Sequence, residues 1–285
     1  MRKKILTCLF VLICLQIFIF NHAHAATNDN LPDKVTLAAN RMRYDSNTGD
    51  FLADGNVTIT AGDFKITAPV GSGNIDKQIL NFSKGITASG QWLGDKISLK
   101  SGNVSVSLSG IPTCKFNNGV SGGFGTMILE ADKLTITGAG GFEKNSRNKN
   151  DTQTKFWLVN VDKLEDSSRG VTFSAGSVEG ILKNGELHNM TAKNGVHLKG
   201  KPKGQNQAVT LKGDSALYSL SRGSIVVSGH VVATQGGRTL KSDSVVYFPD
   251  QNRVEALGGV SKKRNGSVQT GQAEITIDLR RERNN

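Results

Sequence analysis

Residues 50–62 read Asp50-Phe51-Leu52-Ala53-Asp54-Gly55-Asn56-Val57-Thr58-Ile59-Thr60-Ala61-Gly62. Phe51, Ala53, Val57 and Ile59 share one parity, while Asp50, Asp54, Asn56 and Thr58 take the other, with Leu52 the exception. A period of two with one apolar parity marks a strand with one buried face. After the turn Ala61-Gly62-Asp63, Phe64 and Ile66 carry the apolar face onward. The segment therefore reads as two strands joined by a tight turn. The same alternation returns at 104–108, 134–137, 156–161, 225–232 and 274–279, with turns such as Lys183-Asn184-Gly185 and Gln235-Gly236-Gly237. Past the first 25 residues no stretch keeps a convincing 3.6-residue period, so the expected fold class is all-β.

The segment also has a copy. At an offset of 174 residues (209 − 35), Val35-Thr36-Leu37 falls on Val209-Thr210-Leu211, Tyr44 on Tyr218, Gly55 on Gly229 and Val57 on Val231. A shorter period of 29 (247 − 218) relates Tyr218 to Tyr247. Each unit opens with a small residue and then Asp or Asn, as in Ala39-Asn40, Gly213-Asp214 and Ser242-Asp243, with looser copies at Ala131-Asp132 and Gly94-Asp95. One strand pair cannot bury its apolar face alone, whereas stacked units enclose a continuous interior. Residues 34–279 are read as one elongated domain. A polar break at 143–155 reads as an exposed insertion.

Composition narrows the class. The 285 residues hold 33 glycines and 5 prolines, with 37% apolar residues, too many for a disordered chain. The glycine has no three-residue period, which excludes collagen. Arg2, Lys3 and Lys4 precede an uncharged apolar run over 5–20, and Ala23-His24-Ala25 offers a small-x-small cleavage site. Residues 1–25 thus read as a secretory signal peptide, with an uncleaved anchor the alternative. A short linker follows over 26–33. Cleavage removes three of the 35 basic residues and leaves 32 against 24 acidic ones, a net charge of +8. It also leaves Cys114 as the lone cysteine, which excludes an intramolecular disulfide and fits a small buried apolar role. Basic clusters lie at Lys262-Lys263-Arg264 and in the tail over 280–285. The basic residues are spread rather than interleaved with aromatics, which argues against nucleic acid.

The unit of small residue, Asp or Asn, alternating apolar positions to Tyr, then Gly-Asn-Val and a strand resembles the OstA-like repeat. That repeat belongs to the LptA family of periplasmic lipopolysaccharide-transport proteins, and is shared with LptC and the N-terminal domain of LptD. The best matches are 37–68 and 213–260. The resemblance implies an elongated, twisted, slightly open β-jelly roll that binds lipid A acyl chains inside and stacks end to end. It implies a bridge between LptC-like inner-membrane and LptD-like outer-membrane components, located in the periplasm, with no cofactor. The chain is longer than a single LptA module and carries the 143–155 insertion, so its place as bridge or docking component stays open. A right-handed β-helix acting on polysaccharide is the alternative fold and function, and a structural surface repeat protein is a third reading.

No pattern of catalytic or metal-ligating residues emerges. His188 and His197 lie nine apart in a turn-strand segment without a partnering acidic pair, His230 takes the place of Asn56 of the first module, and no His-x-x-x-His or Cys-x-x-Cys occurs past the signal. Gly122-Gly123-Phe124-Gly125 opens no helix, and Glu165-Asp166 reads as part of a polar turn. The candidate functional residues are therefore a lining. Parity and the repeat place Phe51, Val57, Ile59, Phe64, Ile66, Leu80 and Phe82 inward, with Ile225, Val227, Val231, Leu240 and Val254 in the second half. A lipid-contacting surface and an ordinary dry core both use such residues. The strand-like ends at 34–37 and 274–279 are candidates for adding a neighbour's strand.

Overall fold

Alternating sequences long enough to span a dozen residues make long strands, and short glycine turns make them neighbours. The computed structural model describes residues 35–138, 153–201, 207–236, 238–251, 253–257, 260–262, 268–270 and 274–277. The first strands are β1 (Val35–Ala38), β2 (Arg41–Tyr44), β3 (Asp50–Ala61), β4 (Phe64–Asn74), β5 (Ile79–Trp92) and β6 (Asp95–Ser107). The middle holds β7 (Thr113–Phe124), β8 (Met127–Gly138), β9 (Gln153–Asp166), β10 (Val171–Lys183) and β11 (Glu186–Gly200). Then come β12 (Val209–Ser219), β13 (Ser224–Gln235), β14 (Arg238–Phe248), β15 (Arg253–Leu257), β16 (Val260–Lys262), β17 (Val268–Thr270) and β18 (Glu274–Ile277). The signal segment, the linker, the tail and residues 143–152 of the expected insertion lie outside the described residues. Residues 153–155 of that insertion open β9.

Sixteen strands form one antiparallel sheet in which β3 to β15 follow one another in sequence order. β1 and β2 share the outer edge of β3, and β15 and β18 share the outer edge of β14. Antiparallel neighbours in sequence order make a meander, which removes the β-helix alternative, whose rungs pair in parallel.

The repeat is reproduced in the pairing. Val35 faces Ala61 and Tyr44 faces Phe51, as Val209 faces Gln235 and Tyr218 faces Ile225. β1 and β2 together are thus the counterpart of the unbroken β12. The register also slips at matching places, between Asp54 and Val57 in β3 and between Ser228 and Val231 in β13. At each slip two consecutive residues take left-handed backbone angles: Gly55 and Asn56 in β3, Gly229 and His230 in β13. Glycine reaches φ > 0 without penalty and Asn tolerates it, and an extra residue in one strand bends and twists it. Such bulges recur in every second strand, at Lys84-Gly85 in β5, Asn118-Gly119 in β7, Asn160 in β9 and Asn194-Gly195 in β11, and mark the line along which the sheet bends.

The repeated Asp is explained by the same line. Asp132 accepts a hydrogen bond from Asn160 at 2.7 Å, and Asp214 lies 2.9 Å from His230 Nδ1. Both pairs join the opening Asp of a unit to the left-handed residue of the next strand. The aspartate raises the His230 pKa through this hydrogen bond and its charge. Asp95 is different: it lies at the β5–β6 turn, far along the strand from the bend. The pattern Gly94-Asp95 is therefore not a copy of the corner unit.

A strand of twelve residues runs about 40 Å. Yet the Thr126 amide, in the turn before β8, donates to the Gly185 carbonyl, in the turn after β10, at 3.0 Å. Opposite ends of neighbouring strands touch only if the sheet folds over on itself. The result is a jelly-roll-like scroll with two wings. The inward parities of both wings merge into one continuous apolar cluster from Phe51 to Tyr247.

Candidate functional site

The interior is where the inward parity leads. Phe51, Val57, Ile59, Phe64, Ile66, Leu80, Phe82, Ile225, Val227 and Val231 are all buried there. Leu240 and Val254 are partly buried and pack against the cluster near its C-terminal end. The wings meet face to face in the middle of the chain. Phe124 on β7 packs edge-on against Phe156 on β9, with ring centroids 6.2 Å apart. Cys114 belongs to this core; burial pushes its thiol pKa well up, so it stays protonated and unreactive.

Along the open side of the scroll the two lips touch in a staggered series. The turn before β8 meets the turn after β10 at Thr126 and Gly185. Arg169, in the turn after β9, lies over the Tyr218 ring of β12 at 5.6 Å. Burial pushes the Tyr218 phenol up to about 12, with Arg169 opposing it. Gly200 at the end of β11 leaves room for Tyr247 of β14: a Cβ there would lie 2.5 Å from the Tyr247 hydroxyl. Each contact reaches about three strands ahead, so the lips close as a coil.

Asp166 shapes one of these contacts. Its buried carboxylate accepts from the Ser168 amide at 3.0 Å and from Arg169 at 3.2 Å, which holds the turn that presents Arg169. The residue ends β9 rather than lying in the turn itself.

Asp95 is the other buried acid at the lips, at 1% exposure. Neither of its oxygens makes a hydrogen bond of good geometry, and the Thr154 hydroxyl is likewise unsatisfied. Burial raises the Asp95 pKa, and the nearby Thr154 hydroxyl and Gly185 amide offset part of that. A carboxyl raised on folding favours the fold while protonated. That contribution is present below the unfolded value near 3.8 and is lost as pH rises through the folded pKa. Asp95→Asn removes the ionisation, so we expect the variant to melt above wild type at pH 8 and to lose the advantage below pH ~4. Thermal melts across that range check it; a lower melting temperature for the variant at pH 8 contradicts it.

Among the described residues, the first strands leave inward positions partly uncovered. At the N-terminal edge Met42 and Tyr44 point inward beside Ala53 and Phe51 but remain 40% and 42% exposed. Their repeat counterparts, Ala216 and Tyr218, are each 2% exposed, with Ala192 and Met190 of β11 paired beside them and Arg169 over the Tyr218 ring. A further paired strand and that lip contact separate the two environments.

Parity and the repeat made these buried positions legible. The lip contacts had no signal of that kind, since they join residues that share no local pattern. His188 and His197 both stand on β11, nine residues apart, while His230 stands at the bend of β13 beside Asp214.

Comparison with known proteins addresses the family. The model of the family described as LptA/(LptD N-terminal domain) LPS transport protein matches residues 120–253 and 211–279, together more than half of the chain. No curated protein matches the chain. Among solved structures it is similar to the crystal structure of LptH, the LptA homologous periplasmic component of the conserved lipopolysaccharide transport device from Pseudomonas aeruginosa. That similarity has 11% identity, 86% of this chain and 95% of that chain covered, and a TM-score of 0.28. The family match includes the strands whose register repeats in the unmatched first 119 residues. The chain belongs to the LptA/LptD N-terminal-domain family of lipopolysaccharide transport proteins.

Proposed function

We propose that this chain is a periplasmic carrier that holds the acyl chains of lipopolysaccharide within the scroll and keeps the sugars and phosphates in water. The observation that carries the reading is the single apolar interior running the length of the sheet in a member of a lipopolysaccharide transport family. Burying acyl methylenes there gains about 0.8 kcal/mol each. The lining would be Phe51, Val57, Ile59, Phe64, Ile66, Leu80 and Phe82 at one end and Ile225, Val227, Val231, Leu240 and Val254 at the other.

The partly uncovered first strands supply the route between molecules. A strand from a neighbour added to β1 and β2 would pair beside Met42 and Tyr44 as β11 pairs beside Ala216 and Tyr218. The neighbour would be a second copy, or an LptC-like or LptD-like component at the ends of a bridge. Acyl chains then pass from one interior to the next without meeting water. The expected signal peptide and the net charge of +8 after its removal fit a periplasmic protein that handles a phosphate-bearing lipid.

A photo-crosslinker placed at Val57 or Ile225 tests the reading in cells. We expect lipopolysaccharide adducts from these inward positions and none from the outward Thr58 or Val226. Adducts confined to the outward positions would sink it.

A further inference from the structure

The outer face of the sheet carries a groove of about 480 Å³ across β8, β9, β10 and β11, on the side away from the apolar interior. Register sets Thr135, Trp157, Glu179 and Thr191 in one row across the four strands. Lys155 and Asn189 lie in the next row and also line it. Trp157 is 53% exposed, whereas Trp92, the other tryptophan, is buried at 2%. An indole left in water in the middle of a strand is an apolar plane with nothing drawn over it among the described residues.

The groove's chemistry selects its occupant. Glu179 pairs with Lys193 at 3.1 Å, so the charges around the ring largely balance. A polyanion such as nucleic acid needs a run of bases, which this row lacks. A protein interface needs an apolar centre broader than this one, where the half-buried Ile181 and the buried Phe156 are the apolar side chains that join the indole. Hydroxyls, an amide, a carboxylate and an ammonium around one aromatic plane match a ligand with a flat C–H face and a rim of hydroxyls. That ligand is a sugar ring. A few placed polar groups then fix its orientation.

The position fits as well. Lys155 follows Thr154, which is buried beside Asp95 at the lip.

We propose that the groove is an oligosaccharide subsite in which Trp157 stacks on a sugar ring and Thr135, Glu179, Thr191 and Asn189 bond to its hydroxyls. Its use for the headgroup of a bound glycolipid rests on the carrier reading above; sugar binding itself does not.

The probe is oligosaccharide released from lipopolysaccharide by removal of its acyl chains, added to the full chain as it is exported. Trp157 supplies the fluorescence open to acrylamide, since Trp92 is buried. We expect saturable protection from acrylamide, and at least about ten-fold weaker binding by calorimetry for Trp157→Ala, the loss of one stacked ring. Trp157→Tyr keeps a stacking face and stays within a few-fold of wild type. The side chain is exposed, so both variants should melt as wild type does. No saturable binding, or equal binding by Trp157→Ala, overturns the subsite. So does a tryptophan already shielded before sugar is added, which means another part of the chain covers it. A dimer that Trp157→Ala dissociates overturns it too, because the occupant is then a second copy. Sugar binding together with failed crosslinking at Val57 and Ile225 keeps the groove and removes the acyl-carrying interior.

Discussion

The double variant Met42→Asp, Tyr44→Asp is expected to lose end-to-end self-association by about 100-fold or more while keeping its fold. In isolation both side chains are two-fifths exposed, so carboxylates there stay hydrated. Substitutions at such positions shift stability by about 0.5 kcal/mol or little more. Once a neighbouring strand covers β2, the same carboxylates are buried without partners, which costs several kcal/mol between them. About 2.7 kcal/mol suffices for a 100-fold change in the association constant. Leu52→Asp is the control, since Leu52 sits at the same end but on the outer face, 58% exposed. Sedimentation of the wild type and both variants over a concentration series decides the matter. If the double variant assembles like wild type, or wild type stays monomeric throughout, the N-terminal edge is a capped end and not a junction.

The strands and their inward faces were legible because they follow from a local rule. A strand with one wet and one dry face must alternate, so each buried parity could be read independently. The offset that laid Tyr44 on Tyr218 even anticipated the pairing, since both strands repeat the same register against the next. The fold of the scroll was less legible. Its lips join Thr126 to Gly185 and Arg169 to Tyr218, across strands whose intervening lengths set the geometry. No short-range pattern encodes such a meeting. Asp95 shows the limit most sharply. In sequence it matches Asp132 and Asp214, yet those sit exposed at the bend with Asn160 and His230 as partners, while Asp95 is buried at a turn. Position along the strand, not the tripeptide, decided its environment. Trp157 has no such signal in the sequence: its parity is outward, and the alternation marks the inward faces alone.

The interior poses a physical problem for any carrier reading, because its centre is filled. Phe116 has no exposed surface and packs in register between Val104 on β6 and Leu134 on β8. Acyl chains can occupy such a space only if side chains yield or the lips part. Phe116→Ala separates these possibilities. The truncation is expected to cost about 3–5 kcal/mol, lowering the melting temperature by roughly 10 °C for a domain of this size. It leaves an apolar cavity, which stays dry and accepts an apolar ligand. If acyl chains pass through the centre, lipopolysaccharide fills the cavity and stabilises the variant more than wild type. Binding at 100 times the dissociation constant contributes about 2.7 kcal/mol and recovers much of the loss. If acyl chains reach the interior only from its open ends, near Met42 and Leu240, lipopolysaccharide shifts both proteins equally. Melts of the two proteins with and without the lipid, and with a detergent of matched chain length as the non-specific control, distinguish the two. A variant that melts like wild type without lipid contradicts the packed centre itself, and then the core at Phe116 relaxes far more freely than its burial implies.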